Sequence, residues 1–147
     1  MGAFVEKAAA LSGEKYKKGI NCAEAIVVTF DELCNLGIGE NVRLASCFGG
    51  GIGHAGDLCG ALSGSVMVLG ALAGRPRPPE GERASMYDLS KGFYEKFAAA
   101  NSAANCDTLR KFDFGTREQN INCLKLVVKT ASLLAEYLAQ KGLAAEN

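Results

Sequence analysis

Apolar residues recur along most of this chain at intervals of three and four and rarely at two, a pattern that predicts helices rather than strands. A first helix is expected from roughly Ala3 to Lys18. A second opens at Asn21, a favoured N-cap residue. It carries Cys22, Ala25, Ile26, Thr29, Phe30 and Leu33 on one face and stops near Gly37. Asn41 to Phe48 fits either helix or strand. After it comes a glycine loop, Gly49-Gly50-Gly51-Ile52-Gly53-His54-Ala55-Gly56. Leu58 to Gly74 then reads as a buried helix capped by Asp57, with Gly60, Gly64 and Gly70 leaving room for another helix. Met86, Leu89, Phe93, Phe97 and Ala100 mark a fourth long helix. Leu124, Val127, Val128, Ala131, Leu134 and Leu138 mark the last, for which Thr116-Arg117-Glu118-Gln119 reads as a capping box.

All three prolines fall in Arg75-Pro76-Arg77-Pro78-Pro79, a surface loop between Gly74 and Gly81. From Cys47 to Gly74 the only ionisable side chains besides cysteine are His54 and Asp57, which places this stretch at the centre of the fold. The expectation is one all-α domain over residues 1–147, a compact bundle of about five helices around a central glycine-rich loop.

Composition narrows the function. At 147 residues, with 48% hydrophobic and 22% charged residues, the chain can bury an ordinary core. Sixteen Lys and Arg balance sixteen Asp and Glu, so no net field and no basic run points to nucleic acid or an anionic membrane. The start, Met1-Gly2-Ala3-Phe4-Val5-Glu6-Lys7, matches neither a secretory signal nor a myristoylation site. The apolar stretch Leu58–Gly74 is short for a bilayer span and holds Ser63 and Ser65. A cytoplasmic protein without a membrane span is expected, and six cysteines in a reducing compartment are not a structural disulfide framework.

The cysteine spacings exclude several standard sites. No Cys-x-x-Cys occurs, so the thioredoxin motif, the zinc ribbon and c-type haem attachment are absent, as is ferredoxin-type clustering. Cys22, Cys59, Cys106 and Cys123 instead fall at or near expected helix starts, three of them directly after an asparagine. A helix N-terminus offers unpaired N–H groups and partial positive charge, and both stabilise a thiolate. Buried cysteine packing as a small hydrophobe is the competing reading, and it is the expectation for Cys34 and Cys47. His54, the single histidine, reads as a proton shuttle or ligand near Cys59, or as a solvent-facing loop residue. Gly51-Ile52-Gly53-His54-Ala55-Gly56 formally matches G-x-G-x-x-G. No second strand follows, and after Asp57 no acidic residue appears before Glu80, so a dinucleotide site is not supported. A compact turn that brings backbone amides close to Cys59 is the better reading.

Asn21-Cys22-Ala23-Glu24-Ala25, Phe48-Gly49-Gly50-Gly51-Ile52-Gly53 and Cys59-Gly60-Ala61-Leu62-Ser63-Gly64 together resemble the C_GCAxxG_C_C family of redox-active proteins. Phe93 and Phe97 followed by Cys106-Asp107-Thr108-Leu109, and then Cys123, fit the family's remaining elements, so the resemblance spans roughly residues 20 to 140. It implies four characteristic cysteines, which map onto Cys22, Cys59, Cys106 and Cys123. Some relatives carry selenocysteine, which implies redox chemistry. Related sequence occurs in split-Soret cytochromes, which carry haem and are associated with an iron–sulfur centre. The haem does not carry over, because this chain lacks the attachment motif.

Two functions follow as expectations. In the first, thiol–disulfide or electron-transfer chemistry runs through Cys59 as leading nucleophile, with Cys22, Cys106 or Cys123 resolving it, His54 nearby and an unidentified redox partner. In the second, the same four cysteines hold an iron–sulfur cluster or zinc. A purely structural role, with the small-residue helix driving assembly into a homodimer, is the third.

Overall fold

The computed structural model describes residues 2–144. Among them are seven α-helices and no strand: α1 (Gly2–Lys17), α2 (Cys22–Cys34), α3 (Gly49–Ile52), α4 (Gly60–Ala73), α5 (Ala84–Asn101), α6 (Cys106–Leu109) and α7 (Arg117–Gln140). A 3-10 helix, Gly39–Phe48, joins α2 to α3 and resolves the segment that the sequence left between helix and strand.

The all-α expectation holds, while the count of five does not. The five long helices are present, and the excess is the four-residue pieces α3 and α6. Pieces of one turn are closed by local hydrogen bonds and bury no stripe, so they leave no 3.6-residue period to read. In α3 the backbone turns left-handed at Gly50 (φ 67°) and Gly51 (φ 67°), a conformation that glycine adopts without strain.

The α2 start is a complete capping box. The Asn21 side chain accepts from the Glu24 N–H at 2.9 Å, and the Glu24 carboxylate accepts from the Asn21 N–H at 3.1 Å. The same residues fasten the end of the 3-10 helix: Asn21 Nδ2 donates to the Ser46 carbonyl and Ser46 Oγ to Glu24. α2 ends at Asn35, which takes the left-handed conformation and donates its N–H to the Asp31 carbonyl.

α4 is the apolar helix expected at the centre, and Ala61, Leu62, Val68 and Leu69 are buried in it. It begins later than expected and Asp57 does not cap it. Cys59 is the N-cap residue, with no side-chain cap bond, and the backbone carbonyl of Asp57 receives the Cys106 N–H at 2.6 Å. The glycine expectation holds at two of three positions. A Cβ on Gly64 would stand 2.7 Å from the Ala23 carbonyl oxygen, and one on Gly60 would overlap Cys22, so α2 crosses α4 backbone to backbone. Gly70 faces open space.

Phe30, Phe93, Phe97, Ile26, Leu134 and Leu138 fill the core between α2, α5 and α7. α7 lies along α1 and anchors α5 through the Tyr137 hydroxyl, which donates to the Leu89 carbonyl at 2.7 Å. At the start of α7 only half of the expected capping box forms. Thr116 Oγ1 accepts from the Gln119 N–H at 3.2 Å, but the Gln119 side chain turns elsewhere.

Candidate functional site

Four separate elements bring their cysteines to one cavity of about 460 Å³ at the end of the bundle. Cys22 is the first residue of α2, Cys59 the N-cap of α4 and Cys106 the first residue of α6. Cys123 departs from the helix-start expectation: it lies inside α7, which already begins at Arg117, and faces the cavity from the second turn. Its position follows from Thr116 being the N-cap, so helix starts are not the common feature of the four. Facing one cavity is.

The glycine loop holds two of these thiols in place. Its last residues pair with the segment entering α6: Cys59 N–H to the Ala104 carbonyl at 2.9 Å, Cys106 N–H to Asp57, and Asp107 N–H to the Gly56 carbonyl at 3.0 Å. Gly51 and Gly56 leave the space for this, since a Cβ on Gly51 would meet Cys106 Cβ at 2.6 Å and one on Gly56 would overlap the Asp107 carboxylate.

Burial opposes the charge that helix starts would favour on these thiols. Burial pushes the Cys59 thiol up to about 12, and charge on Cys22 adds to the effect, whereas the Leu62 and Ala61 N–H groups pull the other way without prevailing. Cys106 is pushed up to about 11 by burial first, then by charge on Cys123 and Cys22. Cys22 is also raised, chiefly by burial, against the Gly50 N–H. Helix-terminal N–H groups do face Cys22 and Cys59, but removing these sulfurs from water outweighs them. Burial of Cys59, only 4% exposed, therefore works against the thiolate that a leading nucleophile needs.

His54 lies at the rim, exposed and with φ +66°, and its ring stacks on Phe114 with centroids 4.2 Å apart and planes 11° apart. The Arg110 guanidinium lies 4.4 Å from the same ring centroid. Phe114 thus contacts both His54 and Arg110, and all three line the cavity. Arg110 is itself held by Asp107 Oδ1 at 3.0 Å and the Phe112 carbonyl at 2.9 Å.

Several site residues carried no sequence signal. Tyr16 reaches the cavity from α1, and its hydroxyl is pushed up by burial and by charge on Cys123 and Cys22. Gln119, read only as a helix cap, donates from Nε2 to Cys123 Sγ at 3.0 Å. Cys47, expected to be packing, is exposed in the last turn of the 3-10 helix and lines the same cavity. Cys34 is half-buried against the core, as expected, and lines no part of the cavity. Among the described residues no three His, Cys, Asp or Glu side chains are gathered as a ligand set for a single metal ion. No helix among those residues is long and apolar enough to cross a membrane.

No solved structure matches the chain. A protein of Archaeoglobus fulgidus described as uncharacterized is 30% identical over 137 residues, covering 87% of this chain and 91% of its own length. The family model described as "Putative redox-active protein (C_GCAxxG_C_C)" matches residues 20–137, a span that contains Cys22, Cys59, Cys106 and Cys123, and the chain belongs to that family.

Proposed function

We propose that the chain is a small electron-transfer protein in which Cys22, Cys59, Cys106 and Cys123 together hold an iron–sulfur cluster. The observation that carries this reading is that four thiols from four elements face one roomy cavity. Three of them are kept neutral by burial and by one another's charge. Four thiolates confined this way repel each other, and a cationic metal centre removes that penalty. Four cysteines are the usual ligand number for such a cluster.

When bound, the cluster supplies a one-electron redox couple. The chain's own residues do the rest. The Gly50 and Ala23 N–H groups face the Cys22 sulfur and the Ala61 and Leu62 N–H groups face Cys59, where they offset sulfur charge. Phe114, in contact with His54 and Arg110, lines the same cavity and would limit access by water.

Dithiol–disulfide exchange is the second reading, favoured by Gly60. Its missing Cβ lets the Cys22 sulfur lie against the residue next to Cys59. Two thiols would lose two protons and two electrons, forming one S–S bond, while an external disulfide is reduced to two thiols.

The deciding experiment is anaerobic purification with a visible spectrum and counts of iron, sulfide and free thiols. A brown protein with iron and acid-labile sulfide, losing its iron when any one of the four cysteines becomes Ser but keeping it in Cys34→Ser, is the expected result. A protein that stays colourless after anaerobic reconstitution and reversibly loses two thiols per disulfide overturns the cluster reading in favour of the second.

A further inference from the structure

We propose that the groove between the end of α1 and the start of α7 is a second entrance to the thiol cavity, shaped for a small carboxylate-bearing thiol. The inference deepens the proposed function and rests on it, since it takes Cys123 as a member of the redox centre. The groove holds about 390 Å³, room for a small metabolite. Tyr16, Asn21 and Asn120 line both the groove and the cavity, so these three side chains form the partition between the two spaces. Tyr16 is the decisive one. It is only half-buried, and its hydroxyl hydrogen-bonds the Cys123 sulfur. A molecule seated in the groove is therefore one side chain away from Cys123. His54, Phe114 and Arg110 line the cavity but not the groove, so this approach is separate from theirs.

The groove's own chemistry specifies the guest. Lys17, the last residue of α1, and Arg117, the first of α7, both line it. Among the described residues neither is in an ion pair, whereas Lys15 and Lys18 on the same turn of α1 are held by Glu32 and Glu14. No acidic side chain lines the groove, so nothing in it competes for the two cations. An arginine fork matches a carboxylate, and a lysine adds a point charge. Ile20, Ile121 and Leu124 supply an apolar surface that a bare inorganic anion would leave unused. Behind Tyr16 lies sulfur. A thiol is the group suited to meet a thiol centre there, and a carboxylate-bearing thiol uses the charge, the apolar surface and the sulfur together.

The test compares two reagents of nearly the same size: iodoacetate, a carboxylate that attacks sulfur, and neutral iodoacetamide. Reduced, iron-free full-length protein is treated with each in about 0.15 M salt, where charges beyond about 8 Å are largely screened. Modification is read peptide by peptide as the ratio of the two rates at Cys123, with exposed Cys47 as control. Both reagents attack the thiolate, so any change in the ionisation of the sulfur cancels in that ratio. In the double variant Lys17→Gln, Arg117→Gln the ratio at Cys123 is expected to fall roughly fivefold, the effect of losing two exposed cation–carboxylate pairs, with Cys47 unchanged. Arg110→Gln alters the cavity but not the groove and should leave the Cys123 ratio within about twofold of the natural one. A groove variant that stays within about twofold, or a larger fall with Arg110→Gln, overturns the assignment. So does a natural protein in which iodoacetate modifies Cys47 and never Cys123. Lys17 and Arg117 are exposed, so the double variant should keep its helical signal. Iron and sulfide counts judge the redox centre separately, and either reading can fail with the other intact.

Discussion

Gly60 has no side chain where the sulfur of Cys22 lies. A Cβ on Gly60 would overlap that sulfur and come within 2.9 Å of the Phe48 carbonyl oxygen, so one hydrogen atom on α4 sets the position of a thiol carried by α2. The glycine after Cys59 is therefore a spacer for a different cysteine.

Gly60→Ala is expected to push Cys22 outward and to destabilise the protein by about 1–3 kcal/mol, the usual range for overpacking a close contact. Gly70→Ala is the control. Gly70 sits in the same helix with nothing within 4 Å, and gaining a better helix former there adds about 0.5–1 kcal/mol. Urea midpoints of the two variants should move in opposite directions; movement of both upward would mean that α2 and α4 are not in tight contact.

The metal-free protein should lose stability in alkali. Burial, first among the causes, raises the thiols of Cys59, Cys106 and Cys22 above their ordinary value of 9.0. Between about 9 and about 12 the unfolded chain sheds these protons while the folded chain keeps them. The stabilisation is complete below the unfolded value and is lost as pH rises through the folded one. Denaturation midpoints measured from neutral pH upward should fall over that window, and Cys59→Ala should make the fall shallower. An unchanged slope in that variant would show that Cys59 ionises as easily folded as unfolded.

Phe114→Ala should open the cavity. It removes both the stack with His54 and the Arg110 contact, interactions worth about 1 kcal/mol together or somewhat more. Release of that amount makes an open mouth roughly five- to tenfold more frequent. Alkylation of Cys22 and Cys123 should accelerate by that factor while exposed Cys47 reacts as before. Equal rates in both proteins would show that Phe114 does not limit entry.

Much of this molecule was legible in its residues. The helical period located the five long helices to within a few positions, because each buries an apolar stripe that the chain must repeat every three or four residues. Asn21 announced the start of α2, and the cluster of prolines announced the loop before α5, since caps and turns depend on side chains a few positions apart. The resemblance carried by the glycine loop and Cys-Gly-Ala-x-x-Gly named the family. Tertiary contacts decided the rest. Whether an N-terminal thiol is charged depends on how deeply it is buried, and for Cys59 burial outweighed the helix amides that local sequence advertised. Tyr16 and Phe114 joined the site from α1 and the segment between α6 and α7, across separations that leave no periodic trace. Local sequence determined which segments are helices and which residues bear sulfur. The crossing of α2 over α4 at Gly60 and Gly64, and the pairing of Cys59 with the strandlike approach to Cys106, decided that those sulfurs share one cavity, because only packing brings distant stretches of chain within bonding distance.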